Sequence, residues 1–188
     1  MSCPVIQPNA RPAAPAVVDR LTTTEDTPMF AVPANTVALP ANPTAAHPVR
    51  VALDYATNRD SWRHLLRYDP DQRWSRLLDR TDDQEVWLLS WLPGQHTDLH
   101  DHGAAFGAFT VVTGTLTESV TRRRPTGEPV QLWHELRTGQ SRVFGPGYVH
   151  QVHNNGVDPA VTVHVYRAAP RTLVRYRFDP LSGPRRAD

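Results

Sequence analysis

The chain has a single cysteine, Cys3, so no internal disulfide framework can form, and that usage suits a reducing cytoplasm. It has no apolar run near the roughly 20 residues that a membrane-spanning helix needs. The first residues lack a basic start followed by an apolar stretch, so no secretory signal is expected and a cytoplasmic protein is. Charge of one sign is also missing: 20 Lys and Arg stand against 19 Asp and Glu, a formal net charge of +1. That balance gives no electrostatic reason to expect a nucleic-acid or acidic-membrane partner. The densest basic cluster, Arg122-Arg123-Arg124, adjoins a Pro-Thr-Gly-Glu turn and reads as a solvated hairpin end. There is no internal repeat and no Gly-rich phosphate loop.

Proline is abundant but unevenly placed, with half of the 18 in the first 50 residues, mixed with Ala, Thr and Asn. Such a segment has few bulky apolar groups with which to offset the entropy of ordering. Residues 1–46 therefore read as a Pro/Ala-rich flexible leader and residues 47–188 as one folded domain, long enough for a real core. Val49, Ala52, Leu53 and Ala56 fit one helical face, and Trp62, Leu65 and Leu66 a second short helix, which Asn58 or Asp60 could cap.

Beyond Asp71 the texture becomes that of strands. Short β-prone runs are predicted at 73–79, 85–92, 109–113, 115–122, 130–136, 141–144, 160–166 and 172–178, separated by Gly, Pro and Asn turns. Regularly spaced short strands of this kind mean an antiparallel sandwich or barrel. The five tryptophans read as core and barrel-wall residues.

Nine histidines are present, six of them from His96 to His153. His100-Asp101-His102 places two imidazoles on one face of a strand, within reach of one ion. His150, just after the Gly-Pro-Gly turn, is the candidate third ligand from a neighbouring strand. His96 and His153 flank these and read as supporting or surface groups, and His134 as a surface residue; His47 and His64 belong to the leader and the helices. In the run 160–166, Val161, Val163 and Val165 share one face and Thr162, His164 and Tyr166 the other. A hydroxyl, an imidazole and a phenol in a row can relay hydrogen bonds.

Gly94, five residues, His100-x-His102 and a run ending at Gly114 match the first signature of the cupins. Gly139, Pro146-Gly147, His150 and Asn154 resemble the second, with Gly145 where proline is usual. The stretch Trp91–His102 with Leu-His-Asp-His-Gly, the run His150-Gln-Val and the run Thr162-Val-His164-Val-Tyr166 are similar to the cysteine dioxygenase family, over about residues 60–178. The resemblance implies an all-β cupin barrel with a short helical N-terminal segment. It implies an iron(II) held by His100, His102 and His150, and oxidation of L-cysteine by O2 to cysteine sulfinic acid. Tyr166 would act beside the iron, with His164 and Thr162 holding it, and an arginine on a preceding strand would grip the substrate carboxylate. Arg76 matches that arginine and would point inward with Trp74 and Leu78; Arg73 is the rival.

Two family features are missing, both at Gly107. The cupin motif usually offers a glutamate ligand there, and animal dioxygenases a cysteine that crosslinks to the tyrosine, where bacterial ones often have glycine. Tyr166 is therefore expected to be uncrosslinked. Three neutral ligands leave a divalent ion its full charge, which attracts an anionic thiolate. Ligand count alone also permits zinc. The other readings are a dioxygenase of 3-mercaptopropionate, whose branch typically replaces the arginine with glutamine, a non-redox zinc cupin, or a small-molecule-binding cupin. The chain is read as a monomer.

Overall fold

The structure, a computed structural model, describes residues 46–167 and 172–187. The leader expected over residues 1–46 thus lies outside the described residues, Ala46 excepted. Helix α1 spans Pro48–Thr57. His47 starts it by accepting the Val49 N–H on Nδ1 at 3.2 Å, and Pro48 brings a preset φ to the first turn. Its covered face runs Pro48, Val51, Ala52, Tyr55 and Ala56, while Leu53, expected on that face, is exposed. The expected second helix is instead two 3-10 turns, Arg59–Ser61 and Arg63–Leu65, and the side chain of Asn58 makes no capping bond. Trp62 between them is buried and donates its ring N–H to the Tyr55 carbonyl at 2.7 Å, which ties the turns to the helix.

Among the described residues eleven strands follow: β1 Ser75–Arg80, β2 Gln84–Trp91, β3 Leu99–Asp101, β4 Phe106–Thr113, β5 Thr115–Arg123, β6 Pro129–Arg137, β7 Ser141–Phe144, β8 His150–His153, β9 Ala160–Arg167, β10 Val174–Asp179 and β11 Gly183–Arg186. Five form a sheet in the order β1-β2-β9-β4-β7, and six a second in the order β11-β10-β3-β8-β5-β6. The chain crosses between the sheets again and again, the winding of a double-stranded β-helix. This is the cupin barrel expected from the sequence. At the corner from β4 to β5, Gly114 has φ +80°, and a Cβ there would lie 2.8 Å from the Pro159 carbonyl oxygen.

The first sheet is covered on both faces, which explains why β9 has no solvent side. Its odd positions, Val161, Val163 and Val165, pack with Val86 and Leu88 against Ala52 and Trp62. Burying one such valine contributes roughly 1.5–3 kcal/mol. The even positions face the barrel interior, where Trp91, Phe109, Leu116, Val120, Phe144 and Tyr166 form the second core. Trp133, expected in the core, is instead 55% exposed on the edge strand β6. No described helix is long and apolar enough to cross a membrane.

Candidate metal centre

β3 and β8 pair so that His100 lies directly across from His150, and His102 follows one residue beyond the end of β3. All three are buried, and their ligand atoms lie within 4.8 Å of one another. His102 Nε2 is 3.3 Å from His150 Nε2. Two imidazoles bound to one ion at about 2.1 Å, at 90–110°, have nitrogens roughly 3.0–3.4 Å apart, so this pair fits a shared ion. The backs of two rings are fixed. His100 Nδ1 donates to the Asp98 carbonyl at 2.7 Å, and His150 Nδ1 to Glu118 Oε1 at 2.8 Å, which turns both Nε2 atoms toward the third ring's side.

Glu118 escaped the sequence reading. It is fully buried, and it occupies the inward position between Leu116 and Val120 on β5. Its other oxygen accepts from Arg142 Nε at 3.0 Å, and the Tyr148 hydroxyl donates to Oε1 at 3.4 Å. Burial, then the Glu118 charge, pushes the Tyr148 phenol well above its ordinary range. The available signal was a carboxylate on the apolar face of a strand, which needs a buried partner.

A cavity of about 350 Å³ opens onto the three histidines, at the small end of ligand sites. Tyr166 and His164 line it too. The Tyr166 hydroxyl lies 3.2 Å from His164 Nδ1, and His164 Nε2 lies 2.9 Å from Thr162 Oγ1. The row expected on β9 is thus assembled and buried, and the Tyr166 ring sits 5.1 Å from that of His102. One further donor was not foreseen: Trp91 Nε1 bonds Thr162 Oγ1 at 2.9 Å.

The inward orientation expected of Arg76 is not found. Arg76 pairs with Leu88, a residue of the outer core, so its side chain leaves the barrel and is exposed. The inward parity of this segment runs through Ser75, which pairs with the inward Leu89, and Arg73 shares it. Arg73 lines the cavity, its guanidinium carbon 4.6 Å from the centre of the Trp91 ring. Arg175 lines it from β10, held by Asp98 at 2.9 Å. His96 also lines the cavity and stacks on His153 at 5.3 Å, apart from the three histidines, as expected. His134, expected at the surface, is half-buried.

The family model of cysteine dioxygenase type I matches residues 44–179. The chain belongs to that family. Among solved structures it is similar to the protein TT1209 from Thermus thermophilus, with 21% identity and a TM-score of 0.50, covering 57% of this chain and 94% of that one. A conserved protein with a double-stranded β-helix domain from Klebsiella pneumoniae matches at 22% identity and a TM-score of 0.47, covering 59% and 90%. An oxalate oxidase in complex with a substrate analogue, glycolate, matches at 20% identity and a TM-score of 0.49, covering 57% and 56%. These likenesses concern the fold alone.

Gly107, where the sequence resemblance expects a side chain, is closely enclosed. Gly107 pairs with Tyr166 on one side and Phe144 on the other. A Cβ there would lie 2.1 Å from the Val165 carbonyl oxygen and 2.7 Å from the Phe144 ring. Phe144 fills the space beside Tyr166, with ring centres 5.5 Å apart. Neither a carboxylate nor a thiol fits at 107 with this backbone.

Proposed function

We propose that the chain is a thiol dioxygenase that converts L-cysteine and O2 to cysteine sulfinic acid. The balance is RSH + O2 → RSO2H: both oxygen atoms go to sulfur, which gives up four electrons. The observation that carries the reading is the convergence of three buried imidazoles, Tyr166 and the guanidinium groups of Arg73 and Arg175 on one small cavity. An iron(II) ion held by His100, His102 and His150 would supply the activation of O2 and of the thiolate. Iron rather than zinc is our reading of the family membership, since three histidines hold either.

The protein's own groups do the positioning. Arg73, resting on the indole of Trp91, is the group we assign to the substrate carboxylate; a guanidinium offers it two parallel donors. Tyr166 presents its hydroxyl to the reacting sulfur or oxygen, backed by His164 and Thr162. The thiol needs a reducing compartment, which fits a cytoplasmic protein.

The test is O2 consumption by the iron-loaded chain with cysteine, 3-mercaptopropionate and cysteamine, with the product identified by mass. Sulfinate from cysteine at the highest kcat/KM is expected. His150→Ala should lose most bound iron and all turnover. Oxidation of no thiol, or zinc as the metal retained on purification, would overturn the reading.

A further inference from the structure

We propose that Tyr176 and Asp101 form a clasp that positions His102 and sets how tightly the three histidines hold a metal ion. β3 is a short strand, and His102 lies one residue past its end. The strand meets β8 at His100 alone, opposite His150, but meets β10 at Leu99, His100 and Asp101. β10 is therefore its main support. Side chains alternate between the faces of a strand, so Leu99 and Asp101 turn away from the cavity that His100 lines. Asp101 pairs with Val174 and Leu99 with Tyr176, which puts Tyr176 diagonally across from Asp101. A diagonal neighbour on the same face is within reach of an aromatic side chain.

The two oxygens of Asp101 do different work. Oδ2 accepts from the Tyr176 hydroxyl at 2.8 Å, and Oδ1 accepts from the Gly103 N–H at 2.9 Å. One carboxylate thus ties the residue before His102 and the residue after it, and anchors both to β10. Asp101 is 6% exposed, and a buried carboxylate oxygen left without a donor is costly. Without the Tyr176 hydroxyl, the side chain gains by turning toward water, and the bond to Gly103 is lost with it. The hold of Arg175 on Asp98 is of another kind, because both side chains are more than half exposed and such a pair is weak. Tyr176 is a positioning residue here, acting on His102 through Asp101.

The proposal rests on the three-histidine metal centre of the reading above and not on dioxygenation. The test is competition between the full-length chain and a chelator for zinc(II). Tyr176→Phe removes one hydroxyl and keeps the ring, and should weaken zinc(II) binding about 10-fold. Arg186, opposite Tyr176 on β11, stands near the same hydroxyl, so a second variant isolates the Asp101 side. Asp101→Ala, which loses both bonds, should weaken binding roughly 100-fold. In 15N NMR of the zinc-loaded, histidine-labelled chain, the His102 signals should shift in Tyr176→Phe. Those of His150, held by Glu118, should stay. Equal zinc(II) affinity in Tyr176→Phe overturns the proposal. So does a loss of affinity in which the His150 signals shift as much as those of His102, because the whole barrel has then loosened. If Tyr176→Phe fails to fold, Asp101→Asn, which keeps the shape and one acceptor, carries the same two measurements. A native chain that binds no zinc(II) overturns the metal centre itself. One that binds a metal and oxidises no thiol overturns the dioxygenase reading, and the affinity comparison still decides the clasp.

Discussion

Glu118 carries a fully buried carboxylate, and it is tolerated because both oxygens are taken, by His150 and Tyr148 on one side and Arg142 on the other. It fixes the His150 ring, and an acceptor behind a metal-binding imidazole typically accounts for about 10- to 100-fold in affinity. Glu118→Gln keeps an acceptor without the charge and should weaken zinc(II) or iron(II) binding on the order of 10-fold. Glu118→Leu should lose roughly 100-fold, as measured by competition with a chelator. Equal affinity in the leucine variant would mean that His150 needs no such support. The two arginines of the β1 segment give a second comparison. Arg73→Gln should lower kcat/KM for cysteine roughly 30- to 1000-fold, the equivalent of about 2–4 kcal/mol for a sheltered bidentate pair. Arg76→Gln should stay within about 2-fold. A larger loss in Arg76→Gln would return the anchoring role to that residue.

At the scale of elements, β4 and β9 approach each other so closely at Gly107 that the site's shape depends on a missing atom. Gly107→Ala must push aside both the Val165 carbonyl and the Phe144 ring. Overpacking of this kind typically costs about 1–3 kcal/mol, so thermal unfolding should shift down by several degrees. An unchanged Tm would show that the strands part freely there. Helix α1 depends on pH through its cap. Burial, and then the Arg167 charge, hold the His47 imidazole below its ordinary value, and the neutral ring accepts the Val49 N–H. Since the unfolded chain takes up that proton first, the cap's contribution is present above about pH 6.5 and is lost as pH falls through the lower folded value. Amides of α1 should exchange faster with solvent at pH 5 than at pH 7.5, relative to those of β9. His47→Asn, which caps without titrating, should remove the difference.

For the molecule as a whole, two apolar clusters, one inside the barrel and one beneath α1, make the fold independent of an ion. Chelation should therefore abolish turnover and leave a cooperative unfolding transition. A metal present at about 1,000 times its Kd adds roughly 4 kcal/mol, so calorimetry should show Tm lower by about 8–16 °C in the chelated chain. Loss of the transition itself would mean that the ion is part of the core.

Features set by local periodicity were legible in the sequence. His100 and His102 sit two residues apart, and Thr162, His164 and Tyr166 alternate with valines, so a strand's period of two groups them before any fold is known. The turn-separated strands and the order of the histidine motifs likewise carried the barrel. Tertiary structure alone decided which face was inside. Arg73 and Arg76 differ by an odd number of residues, and only the pairing of Arg76 with Leu88 reveals that the even face leaves the barrel. Glu118 was visible as a carboxylate on an apolar strand, but its partner Arg142 stands 24 residues on, in the other sheet. Trp91 and Thr162 meet through the alignment of β2 with β9, which no local pattern encodes. Periodicity is a property of neighbours along the chain, whereas register and hydrogen-bond partners arise from distant segments that meet only when the core closes.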